Sequence, residues 1–284
     1  MYIQKLVVVG FVLLFALATP FQAEAQRRKK KGSSISASDS LRSAELFQDG
    51  LKMMMIDDPK RALEYFEQAQ RFSPENAGLL YSMAKAYEEL ADIGNAVTYA
   101  KKALEIDKTN PYYYLMLAKA YEDQKDYKNA AEIYEELIEN IPNSNEHLFE
   151  LANAYLRQRA FKQALQTMDK IEKAYGLSEE VVRQKQQVYL QMNKMDLAIK
   201  EMRKLIEANP FEVRYRLILA ELLMSNKMEK DAVEVLNQVL AKEANSYASL
   251  MLYSYYLNVN NRTKAEAYLD APLLDPDLNI DEKV

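Results

Sequence analysis

Cysteine and tryptophan are absent from the 284 residues, and histidine occurs once. Without cysteine there is no disulfide, no zinc–thiolate site and no thiol nucleophile. Export stays open all the same, because an oxidising compartment permits disulfides without requiring them. Glycine and proline number only 6 and 8, too few for a β protein that must turn about every ten residues. The single His147 has no second histidine and no cysteine to join it in a triad or ligand set, so it reads as a structural or surface residue. What fills the chain is Ala, Leu, Glu, Lys, Met and Tyr, a helical composition. With 49% hydrophobic and 28% charged residues it can bury a core.

Charge is distributed unevenly. Residues 1–42 hold seven basic and two acidic side chains, while 43–284 hold thirty basic and forty acidic ones, a net −10. A body of that sign is a poor ligand for nucleic acid, whose phosphates need a basic surface. At the start, Lys5 precedes an apolar run over 6–18, then Pro20 and Ala23-Glu24-Ala25. A basic start, a short apolar stretch and a small-x-small site predict a secretory signal peptide over 1–25, cleaved before Gln26. Gln at that place resembles exported proteins of some Gram-negative bacteria, which makes the periplasm the expected compartment. The five positive charges at 27–31 oppose translocation. The alternative is therefore an uncleaved, membrane-anchored segment, although the run falls short of the roughly 20 residues a bilayer requires. Residues 26–42 read as a basic, Ser-rich flexible leader, the one place where membrane contact is expected.

From residue 43 the sequence repeats every 34 residues, in units starting near 43, 77, 111, 145, 179, 213 and 247. Alanine recurs at Ala62, Ala96, Ala130, Ala164, Ala198 and Ala232. The eighth position is small in nearly every unit (Gly50, Ala84, Ala118, Ala152, Gln186, Ala220, Ser254), and the eleventh is bulky (Met53, Tyr87, Tyr121, Tyr155, Tyr189, Leu223, Leu257). Pro74, Pro142 and Pro210 stand near the ends of units. Each unit reads as two amphipathic helices joined by a short polar turn, with small residues where the backbones approach and large ones filling the gaps. One hairpin cannot bury its apolar face alone, so neighbours must stack. The seventh unit is imperfect: its second helix, around 263–270, arrives one residue early, with Ala265 in the alanine place. Residues 273–284 read as an acidic tail. An end without a polar cap exposes apolar surface, so this end is expected to pack on the tail, a second copy or a partner.

The period and phase, with segments such as Leu117-Ala118-Lys119-Ala120-Tyr121 and Tyr127-Lys128-Asn129-Ala130-Ala131, resemble the tetratricopeptide repeat over residues 43–272. That resemblance implies an all-α, right-handed solenoid of about seven antiparallel helix-turn-helix repeats. It implies a protein or peptide ligand in a concave groove lined by the first helix of each repeat, with no cofactor and no metal. Carried over one position at a time, the groove row is Phe47, Tyr81, Leu115, Phe149, Arg183 and Leu217. The next row runs through Leu51, Lys85, Lys119, Asn153, Gln187 and Glu221, with Glu88, Tyr112, Glu122, Arg157 and Arg214 beside them. Tyr81, Leu115 and Phe149 replace the basic clamp of family members that bind chaperone C-termini, so that kind of tail is not the expected ligand.

Acidic residues gather in repeats two and three, and Arg157, Arg183 and Arg214 fall in repeats four to six. An extended or helical peptide with its basic part at the former and its acidic part at the latter would match. Enzymatic signals are thin. Ser82-x-x-Lys85 lacks the companion motifs of penicillin-binding enzymes. Adjacent pairs such as Glu135-Glu136 diverge by about 100° on a helix. The expected function is a non-catalytic scaffold or adaptor of the bacterial cell envelope. The alternative is a periplasmic, chaperone-like holder of unfolded or outer-membrane clients.

Overall fold

The computed structural model describes residues 36–275, and every regular element among them is helical. The signal segment, the basic run at 27–31 and the tail beyond Asp275 lie outside the described residues. The order is α1 (Ala37–Met55), α2 (Pro59–Phe72), α3 (Ala77–Glu89), α4 (Ile93–Ile106), α5 (Pro111–Asp123) and α6 (Tyr127–Asn140). After a 3-10 turn at Asn145–His147 come α7 (Leu148–Arg157), α8 (Phe161–Tyr175), α9 (Glu179–Gln191), α10 (Met195–Ala208), α11 (Val213–Ser225) and α12 (Glu229–Leu240). The last are α13 (Ser246–Asn258), α14 (Arg262–Glu266) and α15 (Asp270–Leu274). The first fourteen are the paired helices of seven repeats.

The chain divides into two compact units, one ending at Asp126 and one beginning at Tyr127. In the first, α1 packs on α2 and α3 on α4, and α5 lies against α4 and α3. In the second, α6 packs on α7, followed by the pairs α7–α8, α9–α10, α11–α12 and α13–α14.

Local chemistry starts and stops these helices. Asn76, Asn110 and Asn245 cap α3, α5 and α13, each side-chain oxygen accepting from a first-turn N–H. Asp58 and Asp92 do the same for α2 and α4. Between the two helices of each repeat one residue takes a left-handed conformation, at Asp57, Ala91, Lys125, Arg159, Asn193 and Lys227, spaced by 34. The backbone then closes on itself, as where Asp58 N–H donates to Met53 O at 3.0 Å and Asp92 N–H to Tyr87 O at 2.9 Å. The seventh such residue is Asn260, one place early, which explains the early Ala265.

The alanine column lies where the helices touch: Ala62, Ala96, Ala130, Ala164, Ala198, Ala232 and Ala265 are all fully buried. In the eighth position a Cβ on Gly50 would come within 2.3 Å of the Phe66 ring. The second helix therefore closes directly over this column.

Two boundaries differ from the periodic reading. The first helix starts at Ala37, inside the segment expected to be a leader, because Ser36 Oγ accepts from Asp39 N–H and nucleates an earlier turn. The seventh unit's second helix is not continuous over 263–270: α14 stops at Glu266, and α15 runs on to Leu274, past the expected boundary at 272.

Candidate protein-binding faces

The twelve first-helix residues in the first unit and in α7, together with their counterparts in α9 and α11, share one property: none is buried. In the first unit, Phe47 lies on α1 with its ring 5.7 Å from that of Phe66, and Tyr81 on α3 lies 5.4 Å from Tyr113. Burial and the nearby Glu88 charge push the Tyr81 phenol above its ordinary pKa, so it stays a neutral donor. Lys85 is exposed, Leu115 and Glu122 are half-buried, and Tyr112 is 64% exposed. The Tyr112-Tyr113-Tyr114 run divides by helical geometry, since Tyr113 and Tyr114 point inward and are buried. Lys119 on α5 forms an ion pair with Glu88 on α3, so two of the expected groove charges are spent on each other.

In the second unit Phe149 on α7 is exposed and leans on Tyr175, ring centroids 5.9 Å apart. Asn153, Arg157 and Gln187 are exposed, and Leu217 is half-buried. Arg214 on α11 does not stand free. Its guanidinium donates to both carboxylate oxygens of Glu179 at 3.1 and 2.6 Å, and Tyr215 Oη donates to the same carboxylate at 3.2 Å. The bond from Arg214 holds the Glu179 carboxyl below its usual range. Arg183 pairs with Glu180 one turn away, and Tyr247 donates to Glu221 at 2.5 Å. Arg183 and Arg214 therefore already carry carboxylate partners of their own, which narrows what they can offer an acidic ligand.

The residues dismissed as catalytic sit in ordinary helix chemistry. Ser82 Oγ donates to Gly78 O at 2.9 Å, and His147 lies between Glu146 and Glu150 at 3.5 and 3.8 Å. Glu135 accepts a hydrogen bond from Tyr155, whose phenol burial and that carboxylate push well up. Among the described residues no His, Cys, Asp or Glu cluster is suited to a metal ion.

Sequence reasoning missed one group. Lys185 on α9 is wholly buried and reaches Asp169 at 2.6 Å, Glu172 at 2.7 Å and Glu201 at 3.8 Å, while Lys204 holds Glu201 at 2.8 Å. Burial pulls the Lys185 ammonium down, but hydrogen bonds to Asp169 and Glu172 and the Glu201 charge outweigh it, and its pKa is raised. The signal was in the columns. One repeat before and after Lys185 stand Leu151 and Leu219, and in their own columns Glu172 and Glu201 replace residues such as Ile138 and Val235.

Comparison with known proteins agrees with this architecture. The family model described as "Tetratricopeptide repeat" matches residues 57–120, and a second of the same description matches 187–249. The model described as "Anaphase-promoting complex, cyclosome, subunit 3" matches residues 123–205. No curated protein matches the chain in sequence. Among solved structures, a chain of Naa15/Naa10 bound to HypK-THB is similar with a TM-score of 0.59 at 16% identity, over 85% of this chain and 38% of that one. The C-terminal part of a TPR repeat-containing protein from Cytophaga hutchinsonii gives 0.50 at 17% identity, over 83% and 97%. A tetratricopeptide repeat protein from Parabacteroides merdae gives 0.49 at 17% identity, over 85% and 95%. Family matches in both units, on helices whose alanines and left-handed turns recur every 34 residues, identify the chain as a tetratricopeptide-repeat protein.

Proposed function

We propose that this protein is a non-catalytic scaffold that holds a protein or peptide on the first-helix faces of its repeats. One observation carries the reading. Every expected groove residue, from Phe47 to Glu221, stays out of the core, although alternate positions on the same helices are fully buried. These faces mix aromatic anchors such as Tyr112 and Phe149 with polar and charged residues such as Lys85, Asn153, Arg157 and Gln187. Rigid aromatics supply contact energy and charges supply direction and on-rate. Glu88, Arg183 and Arg214 fit best as framework residues that hold adjacent side chains in place. The compartment proposed is the cell envelope of a Gram-negative bacterium, on the strength of the apolar run at 6–18 and the small-x-small site. Among the described residues no helix is long and apolar enough to cross a membrane.

The test is affinity capture from the native cells with wild type and two paired variants, Lys85→Glu with Tyr112→Ala and Asn153→Ala with Gln187→Glu. Second-helix changes Lys101→Glu and Lys162→Glu serve as controls. A small set of partners lost in at least one first-helix pair and kept by both controls supports the scaffold. A broad, shifting set kept by all variants points to the chaperone-like holder. Fractionation with N-terminal sequencing checks the compartment, and a mature chain beginning elsewhere than Gln26 contradicts the cleavage expected.

A further inference from the structure

Helix α13 lacks a cover that the earlier first helices have. The eighth position of the repeat is buried in all six preceding units, at Gly50, Ala84, Ala118, Ala152, Gln186 and Ala220. A second helix of 12 to 15 residues closes over it there, as Phe66 does over Gly50. In the seventh unit α14 stops after five residues, and the corresponding Ser254 is exposed. Leu250, in the fourth position, is half-buried, whereas its counterparts Leu46, Leu80 and Leu148 are buried. All thirteen residues of α13 are uncharged, and such a helix belongs under cover.

What remains is an open groove of about 780 Å³ along α13, lined by Leu250 and Ser254 and, from α12, by Glu229 and Lys230. The two helices are consecutive and antiparallel, so the start of α12 lies beside the end of α13. We propose that residues 276–284, which lie outside the described residues, fill this groove as an extended segment running from the start of α13 to its end.

Starting point, length and spacing select this segment. Ser246 Oγ, on the first residue of α13, donates to Ala271 O of α15 at 3.4 Å, so the chain leaves α15 close to the start of the groove. Nine extended residues reach about 30 Å, and a helix of thirteen is about 20 Å long. Alternate residues of an extended segment share a face and stand about 6.6 Å apart, close to the ~6 Å covered by four helical residues. Leu278, Ile280 and Glu282 form one such face. With Leu278 on Leu250, Ile280 falls on the small Ser254, as Phe66 falls on Gly50, and Glu282 falls on Asn258 beside Lys230. Lys230 forms no ion pair among the described residues, so Glu282 supplies its partner, and the adjacent Lys283 comes nearest Glu229. At the opposite end Tyr247 donates to the Glu221 carboxylate, and there the segment's own acid, Asp277, is turned to solvent by the same alternation. The site is separate from the proposed ligand rows. Those are the fifth and ninth positions and end at Glu221, whereas the fourth and eighth face the second helix.

The chain has no cysteine, so an introduced pair reports the contact cleanly. In the full chain, Ser254→Cys with Ile280→Cys should form an intramolecular disulfide about tenfold faster than Ser254→Cys with Asp281→Cys, where the second thiol faces solvent. Hydrogen exchange gives an independent reading. Leu278→Asp with Ile280→Asp lies outside the helices and leaves the solenoid folded, yet should speed amide exchange in α13 by about tenfold. Lys230→Glu should speed it less, and adding Glu282→Lys should restore protection. Equal oxidation of the two cysteine pairs, or a disulfide that joins two chains, overturns the proposal. So does α13 exchange indifferent to the Leu278 and Ile280 changes, or a Glu282→Lys change that restores nothing.

Discussion

In the five interior repeats the seventh position holds Met83 and Leu117 in the first unit, at 0% and 2% exposure, and Leu151, Lys185 and Leu219 in the second, buried just as deeply. The geometry of the slot is the same in each, but in one repeat it holds a cation. Around Lys185 the second unit must then supply Asp169, Glu172 and Glu201, and the apolar side chains gather on either side of the charges. One cluster includes Leu148, Met168 and Ile171, and the other begins at Val182 and Ile199 and continues through Leu252. One carboxylate oxygen, Glu172 Oε1, is buried without a protein partner among the described residues. The comparison teaches that the repeat backbone tolerates an ion network in place of a leucine, provided that the two neighbouring columns of Glu172 and Glu201 change with it. Such a network contributes less stability than well-packed apolar side chains would. In a repeat array held by nearest-neighbour contacts, the hairpin that carries it is the weaker link.

The largest effect should come from breaking that network on one side. Lys185→Ala leaves Glu172 without its cation and Glu201 with Lys204 alone, and should destabilise the second unit by about 3–5 kcal/mol. Hydrogen exchange read separately over the two units should show the loss in the second alone. Replacing the whole group sharpens the contrast in the opposite direction. Lys185→Leu with Glu172→Ile and Glu201→Val should raise stability by about 1–4 kcal/mol in chemical denaturation, and a loss would show that the charges are the better packing. In the first unit the tight place is Gly50. Gly50→Ala should cost about 1–3 kcal/mol, since the new Cβ meets the Phe66 ring, although alanine fits the same column elsewhere.

The smallest effect belongs to the exposed pair of Arg214 and Glu179. Arg214→Gln should leave stability nearly unchanged, since an exposed ion pair contributes little. Its pH dependence has a fixed sign. The Glu179 carboxyl is depressed in the folded chain, so its contribution is present above the carboxylate's unfolded pKa and is lost as pH falls through the folded one. The difference between variant and wild type should therefore shrink in acid. A difference that grows there would contradict the assignment.

How much of this was legible depends on what the repeat constrains. The alanine column fixed where helices touch, and the left-handed turns fell where the polar residues between periodic stretches stood. The split of Tyr112 from Tyr113 and Tyr114 follows from helical geometry, and the early seventh turn was visible in Ala265. The start of α1 was not, because the period begins at 43 and an N-cap at Ser36 belongs to no repeat. Lys185 was missed because a charge is assigned to the surface when read alone; only alignment with Leu151 and Leu219 marks its slot as interior. The neutralisation of Arg214 depends on Glu179, 35 residues away, and becomes visible only when adjacent helix starts are set side by side.

The central claim is that partners are held on first-helix faces. A photo-activatable amino acid placed singly at Lys85, Tyr112, Asn153 or Gln187, and at Lys101 or Lys162 on second helices, tests it most directly in living cells. The account predicts discrete cross-linked partners from first-helix positions and none from the second-helix ones. Cross-links arising mainly from Lys101 and Lys162 would contradict it.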